Sequence, residues 1–208
     1  MPMRNIFAII ALLTSLCSAA DLTNQFVQGK LAYGATIDIP RTWKVLQGSE
    51  MRAIEVAVGA AADLTGLARQ AAGTESLLVA NFDNPRLYAS VTVTAISIRN
   101  SSSRSLDSFT AADVKAGEAT LRKGVESMLA GLGTKAAAWT PLEKVPLGDN
   151  FAMHTSYLRS SEAGERRVHM YKVFGTGRVY DIVVSTALAS EDINNVILRR
   201  IASSFRAP

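Results

Sequence analysis

The chain predicts an α+β fold: one antiparallel sheet of about six to seven strands flanked by three helices, an α/β/α sandwich. Three observations predict it. Four β-rich segments between 138 and 186 follow one another with connections of three to seven residues, lengths that join antiparallel neighbours. Three stretches, near 49–70, 108–132 and 191–205, repeat their apolar residues at helical spacing instead. The resulting order (strand, helix, two strands, helix, four strands, helix) lets helices cover a single sheet. A length of 208 residues with 48% hydrophobic content suits one folded domain.

Residues 1–20, MPMRNIFAIIALLTSLCSAA, carry one charge at Arg4, an apolar run of eleven residues from Ile6 to Leu16, and a small-residue end at Ser18-Ala19-Ala20. That is the layout of a secretory signal peptide. A spanning helix needs about 20 apolar residues, nearly twice this run. Cleavage is expected after Ala20, so that the mature chain begins at Asp21. Leu16 stands before Cys17 where a lipoprotein signal needs a small residue, so lipidation is not expected. Loss of Cys17 with the leader removes the chain's one thiol and with it any disulfide or cysteine nucleophile. The most apolar later stretch, 53–68, contains Glu55 and Asp63, so no transmembrane segment is expected in the mature chain. The expected location is periplasmic or secreted.

Residues 21–30 read as a polar N-terminal lead, and 31–206 as a single domain. YGATIDIP (33–40) alternates as a strand and stops at Pro40, which cannot donate to a ladder. In 49–70, Met51, Ile54, Val58 and Ala61 share a helical face, with Ser49 as cap. SLLVANF (76–82) and LYASVTVTAISI (87–98) are β-branched strands around an Asp83-Asn84-Pro85 turn. From Ser108 to Leu132, Val114, Leu121, Val125, Met128 and Leu132 form the apolar stripe of a helix that Gly131 and Gly133 end. Strands are expected at 138–147, 151–159, 167–174 and 178–186. A closing helix, capped by Ser190, buries Ile193, Val196, Ile197, Ile201 and Phe205.

Motif chemistry is sparse. No G-x-S-x-G elbow, P-loop or dinucleotide fingerprint occurs. The net charge of +4 is scattered rather than clustered, which argues against nucleic acid. Asn100-Ser101-Ser102 matches a glycosylation sequon, relevant only in a eukaryotic secretory route. Arg166-Arg167 and Arg199-Arg200 read as solvated surface rather than an anion site. Symmetric closure of the last two hairpins would set His154 opposite Tyr171, Ser156 opposite His169, and Tyr171 opposite Asp181. His154, Ser156, His169, Tyr171, Asp181 and Ser185 would then share one face. His154, His169 and Asp181 form a candidate Zn²⁺ or Cu²⁺ ligand set. The plainer account is a half-exposed polar sheet face, the core side being marked by Phe151, Met153, Tyr157, Val168, Met170 and Phe174. Trp43 and Trp139 are expected as core anchors; exposed together, with Tyr171, they would mark a binding surface.

The segment YGATIDIPRTW (33–43) resembles the aromatic–x–aliphatic–x–x–Pro–x–x–Trp entrance of PsbP-like domains, although Thr42 stands where a glycine is usual. The ending is similar too: RVYDIVVST (178–186) followed by a helix finishing in IASSF (201–205). Such domains share an α/β/α sandwich with a Ran-binding nuclear-import factor and with the envelope protein DcrB. The resemblance implies a binding or accessory module without catalytic residues or an obligatory cofactor. The resulting expectation is a secreted or periplasmic non-catalytic adaptor with a protein partner in the bacterial cell envelope. A metal-binding envelope protein and a toxin-immunity or inhibitor protein are the alternatives.

Overall fold

The structure, a computed structural model, describes residues 25–46, 74–82, 87–161 and 164–208. The expected leader, the helix expected at 49–70 and the Asp83-Asn84-Pro85 turn lie outside the described residues. Strands β1 (Phe26–Lys30) and β2 (Thr36–Pro40) form a two-stranded ribbon. The main sheet holds β3 (Lys44–Leu46), β4 (Thr74–Phe82), β5 (Ala89–Ser97), β6 (Lys135–Ala137), β7 (Glu143–Leu147), β8 (Asn150–Ser161), β9 (Gly164–Gly175) and β10 (Arg178–Ala187). Its order is β3-β4-β5-β10-β9-β8-β6, and β7 also pairs with β8. Every pairing among them is antiparallel. The helices are α1 (Ala111–Gly131) and α2 (Glu191–Ser204).

Ten strands among the described residues exceed the expected six or seven. β1 falls in residues read as a polar lead; only Phe26 of its five residues is buried, so its alternation is faint. The segment 138–147 is not one strand. Ala138 takes φ +49, Thr140 is tied to Ser156 through backbone and side chain, and β7 resumes at Glu143. Pro146 is tolerated there because β7 pairs on one side only, with β8.

The two helices cover opposite faces of the sheet. On one face Val125 and Leu129 of α1 pack with Tyr157 and Val168. On the other, Leu198, Ile201 and Ala202 of α2, with Ile37 and Ile39 of β2, pack on Val91, Val93, Ile182 and Val184. Each large aliphatic side chain fully buried in this way contributes about 2 kcal/mol. Alternation explains why both faces carry core: β10 sends Tyr180, Ile182 and Val184 toward α2 while Val183 faces α1. The expectation of one core face is therefore corrected, and Phe151, assigned to it, is 54% exposed.

Both helix ends of α1 follow local chemistry. Thr110 accepts from the Asp113 backbone and Asp113 Oδ2 accepts from the Thr110 N–H, a reciprocal cap that starts the helix three residues later than Ser108. Thr134 N–H donates to Leu129 and Gly133 N–H to Ala130, a Schellman closure with Gly133 at φ +66. The apolar stripe is rotated from the expected one, since Leu129 is buried while Met128 and Leu132 are exposed. The α2 face is likewise rotated: Ile201 and Phe205 are buried as expected, but Ile193 and Val196 are 64% and 65% exposed and Asn194 lies inside.

Candidate functional site

The β8–β9 register is the expected one: Arg159 faces Arg166, Ser156 faces His169 and His154 faces Tyr171. The two histidines are thus diagonal neighbours on the α2 face. His154 Nε2 and His169 Nδ1 lie 3.2 Å apart, so one ring donates a hydrogen bond to the other. Their planes are 14° from parallel, and Tyr171 stacks on His154 at 4.6 Å between ring centres. Burial is the main cause that lowers the proton affinity of His154, with Glu143 opposing it. Burial, then the His154, Arg167 and Arg199 charges, pull His169 down to about 4. Burial pushes the Tyr171 hydroxyl up, against the Arg199 charge. At neutral pH the stack is an uncharged trio.

The trio lines a cavity of about 410 Å³ between the β7–β9 end of the sheet and α2. Val145, Leu147, Val184, Leu198 and Ala202 supply apolar wall, while Arg199, Arg200, Asn195 and Ser203 line it from the helix. Arg199 Nε donates to Asn195 Oδ1 at 3.1 Å, one helical turn back. Sequence reading took Arg199-Arg200 for plain surface. The spacing shows that Asn195, Leu198, Arg199 and Ala202, three and four apart, share one side of α2, but not that this side faces the sheet.

Asp181 is not part of this site. The β9–β10 turn has two residues, Thr176 and Gly177, so Gly175 pairs with Arg178 rather than Phe174 with Arg178. That slip of one residue sends Asp181 and Ser185 to the α1 face. Asp181 there pairs with Lys172, its cross-strand neighbour, beside a 120 Å³ hollow under α1. Tyr171 instead faces Ile182. The expected His154–His169–Asp181 ligand set is therefore not formed, and no cluster of three metal-ligating side chains exists among the described residues.

Trp43 and Trp139 pack as core anchors, as expected, so the alternative Trp43–Trp139–Tyr171 binding surface is not formed. Trp43 is 8% exposed in the α2-side core. Trp139 packs on the α1 side, stacked on Tyr157 at 4.5 Å with the Arg122 guanidinium 5.5 Å from its ring centre. Tyr171 belongs to the histidine stack.

This antiparallel sheet with helices on opposite faces is a PsbP-like fold. The cyanobacterial PsbP (CyanoP) of Synechocystis sp. PCC 6803 is similar with a TM-score of 0.55 at 13% identity, over 88% of this chain and 93% of that one. LpqN of Mycobacterium tuberculosis, described as involved in cell envelope biogenesis, matches with a TM-score of 0.43 at 12% identity, over 88% and 91%. A Bacteroides thetaiotaomicron VPI-5482 protein matches at 0.45 and 11% identity, over 88% of this chain and 49% of its own. No family model matches the sequence, and no curated protein does. No helix among the described residues is long and apolar enough to cross a membrane.

Proposed function

We propose that the chain is an exported, non-catalytic binding or accessory protein of the cell envelope. The observation that carries this reading is the engagement of the histidines. His154 and His169 bond to each other inside an open cavity, with Asp181 on the far side of the sheet. A general base needs an orienting partner and a nucleophile within reach. The nearby Ser156 hydroxyl lies instead 3.4 Å from Thr140 Oγ1. The leader-like residues 1–20 support export.

The test combines fractionation with capture. The tagged chain is expressed in a Gram-negative host, and the exported form is weighed by mass spectrometry. It is then used to retain envelope components with and without EDTA. A mass starting at Asp21 together with one stoichiometric component that survives EDTA supports the reading. Precursor mass confined to the cytoplasm overturns export, and loss of the component with EDTA turns the reading toward a metal-dependent one.

A further inference from the structure

We propose that the cavity between α2 and the β7–β9 end of the sheet is a binding site for a small anionic amphiphile. Such a ligand carries one carboxylate or phosphate head on an apolar body, and Arg199 meets the head. The inference goes beyond the envelope-partner reading and is tested in the purified chain, where export and partners play no part.

Size comes first. A volume of about 410 Å³ falls in the range of small-molecule sites, which are concave and mostly apolar with a few placed polar groups. Here Val145, Leu147, Val184 and Leu198 provide the apolar walls.

Charge selects the sign of the ligand. Two arginines and two histidines line the cavity, and among the described residues no aspartate or glutamate does. The arginines are not equivalent. Arg200 is 4.0 Å from the Asp38 carboxylate, and its guanidinium stacks 4.7 Å from the Phe26 ring centre. Arg199 has no carboxylate partner among the described residues. Its Nε is held by Asn195, which leaves both terminal amino groups for a planar, two-point contact with a carboxylate or phosphate. A cation would enter against Arg199 and Arg200 and find no carboxylate in the lining.

The imidazole pair adds a proton-linked response. The charged groups bearing on it are Glu143 from β7, Arg167 from β9 and Arg199 from α2, and Arg167 is itself 3.4 Å from Glu191. An anion at Arg199 offsets the cationic part of that surrounding. Protonation of the pair then becomes easier in the complex than in the free chain, so by linkage the anion binds more tightly as pH falls.

The experiment is isothermal titration of the purified chain with octanoate, octyl phosphate, octylamine, acetate and inorganic phosphate at pH 8 and pH 5.5. Octanoate or octyl phosphate should bind about tenfold or more tightly than octylamine, and more tightly than the matching head group alone. Comparison of octanoate with octyl phosphate identifies which head group the site prefers. Octanoate affinity should rise at pH 5.5, the carboxylate staying mostly ionised, whereas octyl phosphate loses its second charge over the same range. Arg199→Glu, at an exposed position that leaves folding intact, should weaken binding about tenfold or more, and Arg199→Lys should recover part of it. Arg104→Glu, far along the chain in an exposed turn, controls for overall charge. Equal binding of octylamine, an Arg199→Glu affinity within about twofold of wild type, or no binding of either amphiphilic anion overturns the proposal.

Discussion

Asn194 should be worth more to this fold than any apolar residue exposed on its helix. It is 5% exposed at the start of α2, and its Nδ2 lies 3.1 Å from the Leu87 carbonyl, 2.9 Å from Thr186 Oγ1 and 3.1 Å from Ser190 Oγ. One amide nitrogen has two hydrogens, so three acceptors share the equivalent of two full bonds. Net values near 1 kcal/mol per bond, plus the burial of an acceptor left short of a donor, give about 2–3 kcal/mol for Asn194→Leu. Leucine keeps the branching of the side chain but is larger, so no cavity contribution enters and any overpacking adds to the loss. For a domain of this size the loss is a fall in Tm of about 5–10 °C. Differential scanning calorimetry of Asn194→Leu, Thr186→Val and the double variant checks it. A coupling of about 1 kcal/mol between the two sites is expected, because each removes one end of the same bond. A fall below about 2 °C for Asn194→Leu, with additive single effects, would refute the claim that this amide ties α2 to the end of β10.

Three other expectations are sharp. His169 is held down to about 4 in the folded chain against an ordinary 6.5, so the folded state binds fewer protons than the unfolded one between those values. Stability should fall as pH drops through that window, by on the order of 2 kcal/mol after discounting for partial exposure, and be unaffected above 6.5; calorimetry of His169→Asn should show a flatter profile. Ile201→Asp, at 0% exposure, should cost about 4 kcal/mol or more, whereas Ile193→Asp at 64% exposure should change Tm by little; equal losses would return the buried face to the one read from sequence. Gly148→Ala should cost about 2–4 kcal/mol in urea unfolding, since Gly148 has φ +58 and an added Cβ would clash with the Ser203 carbonyl and the Arg206 guanidinium.

The contrast between Ile193 and Asn194 explains how far the sequence could be read. Hydrophobic spacing located α2 within a residue or two, because an amphipathic period of 3.6 survives one exchanged position. It could not orient the helix, because orientation is decided by what the ends of β10 and the residues before β5 require. Their hydroxyl and carbonyl groups are satisfied by an amide, so Asn194 turns inward and Ile193 outward. Apolar counting treats that exchange as an error.

The same limit governs the candidate site, through one turn. Gly175-Thr176-Gly177 can close a hairpin with three loop residues or with two, and both are compatible with the strands on either side. The two-residue form, with Gly177 at φ +68, is the tighter closure that matches strand twist. Choosing three brings Asp181 beside the histidines and writes a metal site; choosing two pairs Asp181 with Lys172 under α1 and leaves the imidazoles among arginines. The β8–β9 hairpin was open to the same slip but closes in the symmetric register, so the His154–Tyr171 and Ser156–His169 pairs form as read. Side chains alternate with a period of two, so a single residue in a turn changes the sign of charge at a cavity four residues away. The ligand chemistry of this fold is thus set jointly by a turn and a helix face, and the helix face was the part hidden from sequence. Arg199 reaches the cavity only because α2 is rotated to bury Asn194 and Leu198. A variant that disturbs Asn194 should therefore weaken anion binding as well as stability, although it touches no ligand. Asn194→Leu, titrated with octanoate at a temperature where it remains folded, should bind more weakly than wild type. Unchanged affinity would separate the orientation of the helix from the charge of the cavity.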